Sequence, residues 1–134
     1  MSGLVIDSSA IVAIVQGERE AGALVQLIDD ADDVVISAAT LVEVSMVVEA
    51  RSGAEGGDIV ERVLAEGAVH VVPVDEPDAC RALLAWRRFG RGQHRAALNF
   101  GDLFTYVLAD ETGYPILCVG NDFAQTDLEV VPAR

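Results

Sequence analysis

Leu4-Val5-Ile6-Asp7-Ser8-Ser9-Ala10-Ile11-Val12-Ala13-Ile14-Val15 lies at the start of the chain, and its reading decides the fold. Three β-favouring residues run into an acid. The next residue, Ser8, can cap a helix that carries the apolar residues Ile11, Val12, Ile14 and Val15. A short apolar strand feeding directly into a helix is the opening half of a strand–helix–strand unit. The same alternation recurs along the chain. Gly17 interrupts the first helix, and Glu18 to Asp30 restarts it with Ala21, Leu24, Val25 and Ile28 aligned. A second strand is expected at Val34 to Ile36. A third helix then starts at Ser37 or Thr40 and runs to about Arg51, where Ser52 and Gly53 break it. Glu55 to Glu66 forms a fourth helix carrying Ile59, Val63 and Leu64, and a third strand spans Val69 to Val74. Pro77 introduces a helix from Asp78 to about Phe89, and Gly90 to Gln93 is a loop. Asn99 or Gly101 opens a last helix through Thr112, closed by Gly113. A fourth strand covers Ile116 to Val119, and a weaker one Leu128 to Val131. This order predicts a parallel sheet with right-handed crossovers and helices on both faces.

The 134 residues, 51% of them apolar and mostly Val, Leu, Ile and Ala, suit one α/β domain with a core of its own. Nine basic residues against 22 acidic ones give a formal charge of −13, which taken alone points away from phosphate backbones and anionic membranes. The charge is uneven: Arg81, Arg87, Arg88, Arg91, His94 and Arg95 follow one another with no acid between them, either as a basic patch or as a solvated helix face. No lysine is present, which removes P-loop and Schiff-base chemistry. Cys80 and Cys118 are far apart, with no zinc or disulfide spacing, and are read as core fillers. The opening apolar stretch ends too soon, at Asp7, for a signal peptide, and no apolar run approaches the about 18 residues of a membrane span. A soluble, intracellular protein is expected.

In an open parallel sheet the functional crevice lies at the carboxyl ends of the strands. Asp7 directly follows strand one and Asp122 follows strand four, so both belong to that edge. Glu43 lies about two turns into the helix after strand two, in a run of apolar residues that predicts a mostly buried helix. Asp102 sits in the first turn of the last helix, also among apolar neighbours. Singly, Asp7 and Asp102 are equally well read as helix N-terminal acids and Glu43 as partly exposed. Jointly, three or four carboxylates meeting at one edge repel one another unless a cation joins them. Mg²⁺ or Mn²⁺ is the natural occupant, because hard ions take oxygen ligands and keep waters. Its chemistry is phosphodiester hydrolysis.

Val5-Ile6-Asp7-Ser8-Ser9-Ala10, Glu43 on its helix, Phe89 to Asp102 (FGRGQHRAALNFGD) and Val119-Gly120-Asn121-Asp122-Phe123 together resemble the successive acidic motifs of VapC-type PIN domains. The match is ordered and spans nearly the whole chain. It implies a single PIN domain over residues 1–134, an α/β three-layer sandwich with a central parallel sheet of four to five strands and helices on both faces. It further implies a magnesium-dependent endoribonuclease, with Mn²⁺ a possible substitute, that serves as a toxin and is held inactive by a cognate VapB-type antitoxin. Asp7, Glu43, Asp102 and Asp122 match the catalytic acids, and Asp7 and Asp102 the principal metal ligands. Ser9, or Ser8, matches the small hydroxyl residue that supports the first aspartate. Asn121 stands where many relatives carry a second acid, and Asp127 competes with Asp122 for the fourth place. The resemblance also implies a homodimer, RNA as substrate and a cytoplasmic location.

Arg91 and Arg95 share the loop nearest the proposed metal site and are the arginines favoured for RNA phosphate contacts. His94, in the same loop, is either a phosphate or leaving-group contact or simply solvated. Trp86 and Phe89 could stack on unpaired bases, although helix packing accounts for them too. His70 reads as structural and Asp75 as a helix initiator. A receiver domain would need an acidic pair after strand one and a lysine after the last strand; neither exists here. A haloacid-dehalogenase-like phosphatase would need a second aspartate where Ser9 stands. A non-catalytic binding module remains, and metal-dependent cleavage separates it from a nuclease.

Overall fold

The computed structural model describes residues 2–131, so the outermost residues of the expected 1–134 domain lie outside the described range. Strands β1 (Gly3–Ile6), β2 (Asp33–Ser37), β3 (His70–Val72), β4 (Ile116–Leu117) and β5 (Val130–Val131) form one sheet. Its order is β3-β2-β1-β4-β5. Every neighbouring pair is parallel. Helices α1 (Ser8–Val15), α2 (Ala21–Asp30), α3 (Ala38–Ser52), α4 (Ala54–Glu66), α5 (Glu76–Phe89) and α6 (Phe100–Thr112) make the crossovers. The chain builds outward from β1 through β2 to β3, then returns to the other side of β1 for β4 and β5. The direction of winding therefore reverses between β1 and β4, which opens a crevice above their carboxyl ends.

Alternation along the strands distributes the core to both faces. Val5, Val35 and Ile116 point to one side, where Ala82, Ala85 and Phe89 of α5 and Leu103, Tyr106 and Val107 of α6 cover them. Leu4, Ile6, Val34, Ile36 and Leu117 point to the other, under Ile11, Leu24, Ile28, Val44, Val48, Val60 and Leu64 from α1 to α4. A sheet buried on both faces explains why its strands read as nearly unbroken apolar runs.

Several boundaries differ from expectation, each for a local reason. The first helix is capped by Asp7 and not Ser8, since the Asp7 carboxylate accepts the Ser9 backbone N–H at 3.1 Å. Pro73 ends β3 early because it has no N–H for the ladder. β4 stops at Leu117, two residues short, and the Val119 N–H is taken by the Ser9 hydroxyl at 3.0 Å. The α3 helix is less buried than its apolar run suggested: Val44 and Val48 face the core, while Val42 (58% exposed) and Met46 (66%) face outward. Cys118 is buried as expected, but Cys80 is exposed and fills no core.

Candidate active site

At the crevice, β1 hands Asp7 to the solvent edge of the core, where its backbone N–H is fixed to the Leu117 carbonyl of β4 at 3.0 Å. The Asp7 side chain is buried and held from both ends. One oxygen, Oδ2, accepts from the Ser9 backbone N–H and from the Ser9 hydroxyl at 2.7 Å. The other, Oδ1, accepts from the Thr105 hydroxyl of α6 at 2.9 Å. Thr105 Oγ1 lies 3.3 Å from Thr40 Oγ1 of α3, and both threonines are fully buried. Because Thr105 spends its proton on Asp7, Thr40 donates to Thr105. A hydroxyl relay thus ties α3 and α6 to the first aspartate.

Asp102 enters from α6. Its Oδ2 accepts the Asn99 backbone N–H at 3.0 Å, while Asn99 Oδ1 accepts the Asp102 N–H at 2.9 Å, closing a capping box. That leaves Oδ1 of Asp102 for the crevice. Burial pushes the Asp102 carboxyl up to about 7, and the negative charges of Asp7, Glu43 and Asp122 add to the rise against the hydrogen bond from Asn99. Glu43 is also raised, first by burial and then by Asp7, with the Ser8 hydroxyl opposing. Its Oε1 is buried without a hydrogen-bond partner. Cys118, beneath the cluster, is driven up to about 12 by burial and by the same aspartates.

The four expected acids therefore act on one another. Asp127 does not join them: Tyr106 donates to its Oδ1 at 2.7 Å and Arg88 pairs with Oδ2 at 3.2 Å. Asp122 is exposed in the turn after β4, and Asn121 beside it is exposed as well. The helix-capping reading of Asp7 and Asp102 is also correct, and it does not compete with clustering, because each spends only part of its carboxylate on the cap. Among the described residues no three His, Cys, Asp or Glu side chains close into a ready-made metal cage. An all-oxygen set with one unpartnered buried carboxylate oxygen, and a second acid pushed towards neutrality by burial and, to a lesser degree, by its neighbours' charge, nonetheless fits a hard divalent cation that keeps most of its waters.

The basic segment divides. Arg81 pairs with Glu111 at 2.7 Å, and Arg88 with Asp127 while lying 4.7 Å over the Phe89 ring. Arg91 and Arg95 are exposed and form no ion pair among the described residues. His94 is half-buried, edge-on to Phe89, and its Nδ1 accepts the Ala96 N–H at 3.0 Å, so it pins the loop. Phe89 lies in the core and offers no face to a base, whereas Trp86 is 37% exposed. Trp86 and Arg91 line a groove of about 740 Å³ together with Leu83, Phe100 and Phe104. A second groove of about 470 Å³, beside Glu43, shares Asn99, Phe100 and Phe104 with it and reaches Val42 and Met46. Thr40, Thr105 and Phe100 were not anticipated from sequence. Thr105 stands three residues after Asp102 and Thr40 three before Glu43, a same-face helical spacing that was the available signal.

The PIN domain model matches residues 4–129. Ribonuclease VapC36 of Mycobacterium tuberculosis is 44% identical over 127 residues, 94% of this chain and 91% of the relative. Among solved structures, VapC20 of Mycobacterium tuberculosis, a sarcin-ricin loop cleaving toxin, superposes with a TM-score of 0.79 at 19% identity, over 96% of this chain and 99% of that one. VapBC2 from Rickettsia felis, bound to a DNA fragment from their promoter, gives 0.75 at 11% identity over 97% of each chain. These two likenesses, at identities of 19% and 11%, speak for the fold alone.

Proposed function

The chain belongs to the PIN-domain family, and from that membership we propose that it is a metal-dependent endoribonuclease, the toxin of a type II toxin–antitoxin pair. The observation that carries the reading is that Asp7 and Asp102, 95 residues apart in sequence, lie close enough at the reversal point of the sheet for the charge of one to raise the carboxyl of the other, while Thr105, one turn after Asp102, donates to Asp7. Asp7 and Asp102 would hold Mg²⁺, or Mn²⁺ in its place, with Glu43 and Asp122 completing the acidic set. The chemistry such an ion supplies when bound is polarisation of the phosphoryl oxygen and activation of a water.

The chain's own residues do the rest. Ser9 and Thr105 fix both oxygens of Asp7, so its orientation is set before substrate arrives. The Asn99 cap does the same for Asp102. Asn121, exposed beside Asp122, would support the acidic set from the same turn. Arg91 and Arg95, free of acidic partners among the described residues, contact RNA phosphates on the approach, and His94 holds their loop. The acidic crevice and the charge of −13 suit a basic antitoxin segment, most simply an arginine, as the inhibitor. The exposed apolar residues beside the crevice support both that partner, a VapB-type antitoxin, and a homodimer. No helix among the described residues is long and apolar enough to cross a membrane. The place of action is the cytoplasm.

Two preparations test this reading, the chain co-purified with its antitoxin and the chain freed of it. The free chain is expected to cleave RNA in Mg²⁺ and the complex to be inert; equal activity in both would count against the pairing.

A further inference from the structure

Gly101 occupies the second position of α6 and has no positive φ, so its backbone does not call for glycine. In a helix glycine is about 1 kcal/mol less favourable than alanine. Space explains its presence. A Cβ built on Gly101 would lie 2.5 Å from Glu43 Cδ and 2.6 Å from Glu43 Oε1, with Oε2 closer still. All three atoms of the carboxylate therefore rest on the bare Cα of Gly101. The same carboxylate contains the buried oxygen without a hydrogen-bond partner. No donor from the protein reaches that oxygen; apart from the Ser8 hydroxyl, which favours the charged carboxylate, the seat of Glu43 is defined by what Gly101 lacks.

We propose that Gly101 is a positioning residue for the active site: the absent side chain lets the Glu43 carboxylate sit against the first turn of α6, one residue from Asp102, in reach of the common cation. This rests on the metal-dependent reading of the acidic cluster. Any side chain at 101 displaces the Glu43 carboxylate from its seat. Shortening Glu43 by one methylene compensates, because it withdraws the carboxylate from the added methyl.

The test combines Gly101→Ala, Glu43→Gln, Glu43→Asp, and Gly101→Ala paired with each Glu43 change, in the full chain. Gly101→Ala is expected to lower RNA cleavage about 10- to 100-fold, the scale of an ångström-level misplacement, while leaving thermal stability equal or higher. Mn²⁺ binding, read by electron paramagnetic resonance without RNA, is expected to weaken in step. Adding Gly101→Ala to Glu43→Gln should cost nothing further, and adding it to Glu43→Asp should restore activity relative to Gly101→Ala alone. Wild-type Mn²⁺ binding and cleavage in Gly101→Ala would overturn the proposal, as would full additivity with Glu43→Gln. If wild type binds no Mn²⁺ and cleaves no RNA, the underlying metal-site reading fails instead.

Discussion

Asp102 carries two duties on one carboxylate: Oδ2 closes the cap at Asn99, and Oδ1 remains for the crevice. Keeping it ionised is costly first because it is buried and then because Asp7, Glu43 and Asp122 are beside it, so its carboxyl rises from 3.8 to about 7. The sign for stability follows from linkage. Between the ordinary aspartate range and about 7 the native state binds a proton that the unfolded chain does not, so this group's contribution is full at low pH and is lost as pH rises through about 7. Metal-free protein is therefore expected to melt several degrees lower at about pH 8 than at about pH 6, with Mn²⁺ recovering more at the higher pH. Asp102→Asn, which keeps an oxygen for the cap, should flatten that slope in thermal melts. A metal-free melting temperature that rises over this range in wild type, or an unchanged slope in Asp102→Asn, would contradict the assignment. Asp7 shows how the residue scale was legible and where it was not. Its place after strand one and Ser9 beside it were readable from spacing. Thr105 and Thr40 were hidden because nothing local says which side of α6 will meet β1.

Two helices begin with the same device, and they separate stability from function. Asp75 and Asp78 form a capping box at α5, as Asn99 and Asp102 do at α6. Asn99→Ala and Asp75→Ala should each lower stability by about 1 kcal/mol. Only Asn99→Ala is expected to lower cleavage as well: the backbone N–H that holds Asp102 Oδ2 survives, but the side-chain oxygen that anchors the Asp102 backbone N–H is lost, which loosens the turn carrying an acid of the crevice. Unfolding and cleavage measured on both variants check the distinction, and equal activity loss in the two would sink it. Helix positions were readable from period and caps. The fate of the arginines on and after α5 was not: Arg81 meets Glu111 and Arg88 meets Asp127, partners 30 and 39 residues away. Phe89 and Trp86 illustrate the same limit. Helix spacing put both in one class, and only the tertiary arrangement sends Phe89 inward against Tyr106 and leaves Trp86 at the groove.

At the scale of the molecule, parallel winding brings the ends of β1 and β4 together, and α3 and α6 lean over that point with their own acids. Short strands from distant parts of the chain were enough to predict this convergence, because a parallel sheet places every strand end at one edge. The exposed apolar surface around it was less visible: Phe100 is 78% exposed at the mouth of the crevice, and nothing in the motif that contains it says that its ring faces outward. The net charge of −13 also misleads when taken as a whole, since it argues against nucleic acid while the acids that matter are the few gathered at the crevice. The most direct measurement is cleavage of total cellular RNA by antitoxin-free protein in Mg²⁺ or Mn²⁺, with EDTA as control, comparing wild type with Asp7→Ala and Asp102→Asn. Discrete, metal-dependent cleavage by wild type and its loss in both folded variants is the predicted result; cleavage that persists in EDTA or survives both substitutions would contradict a carboxylate metal site.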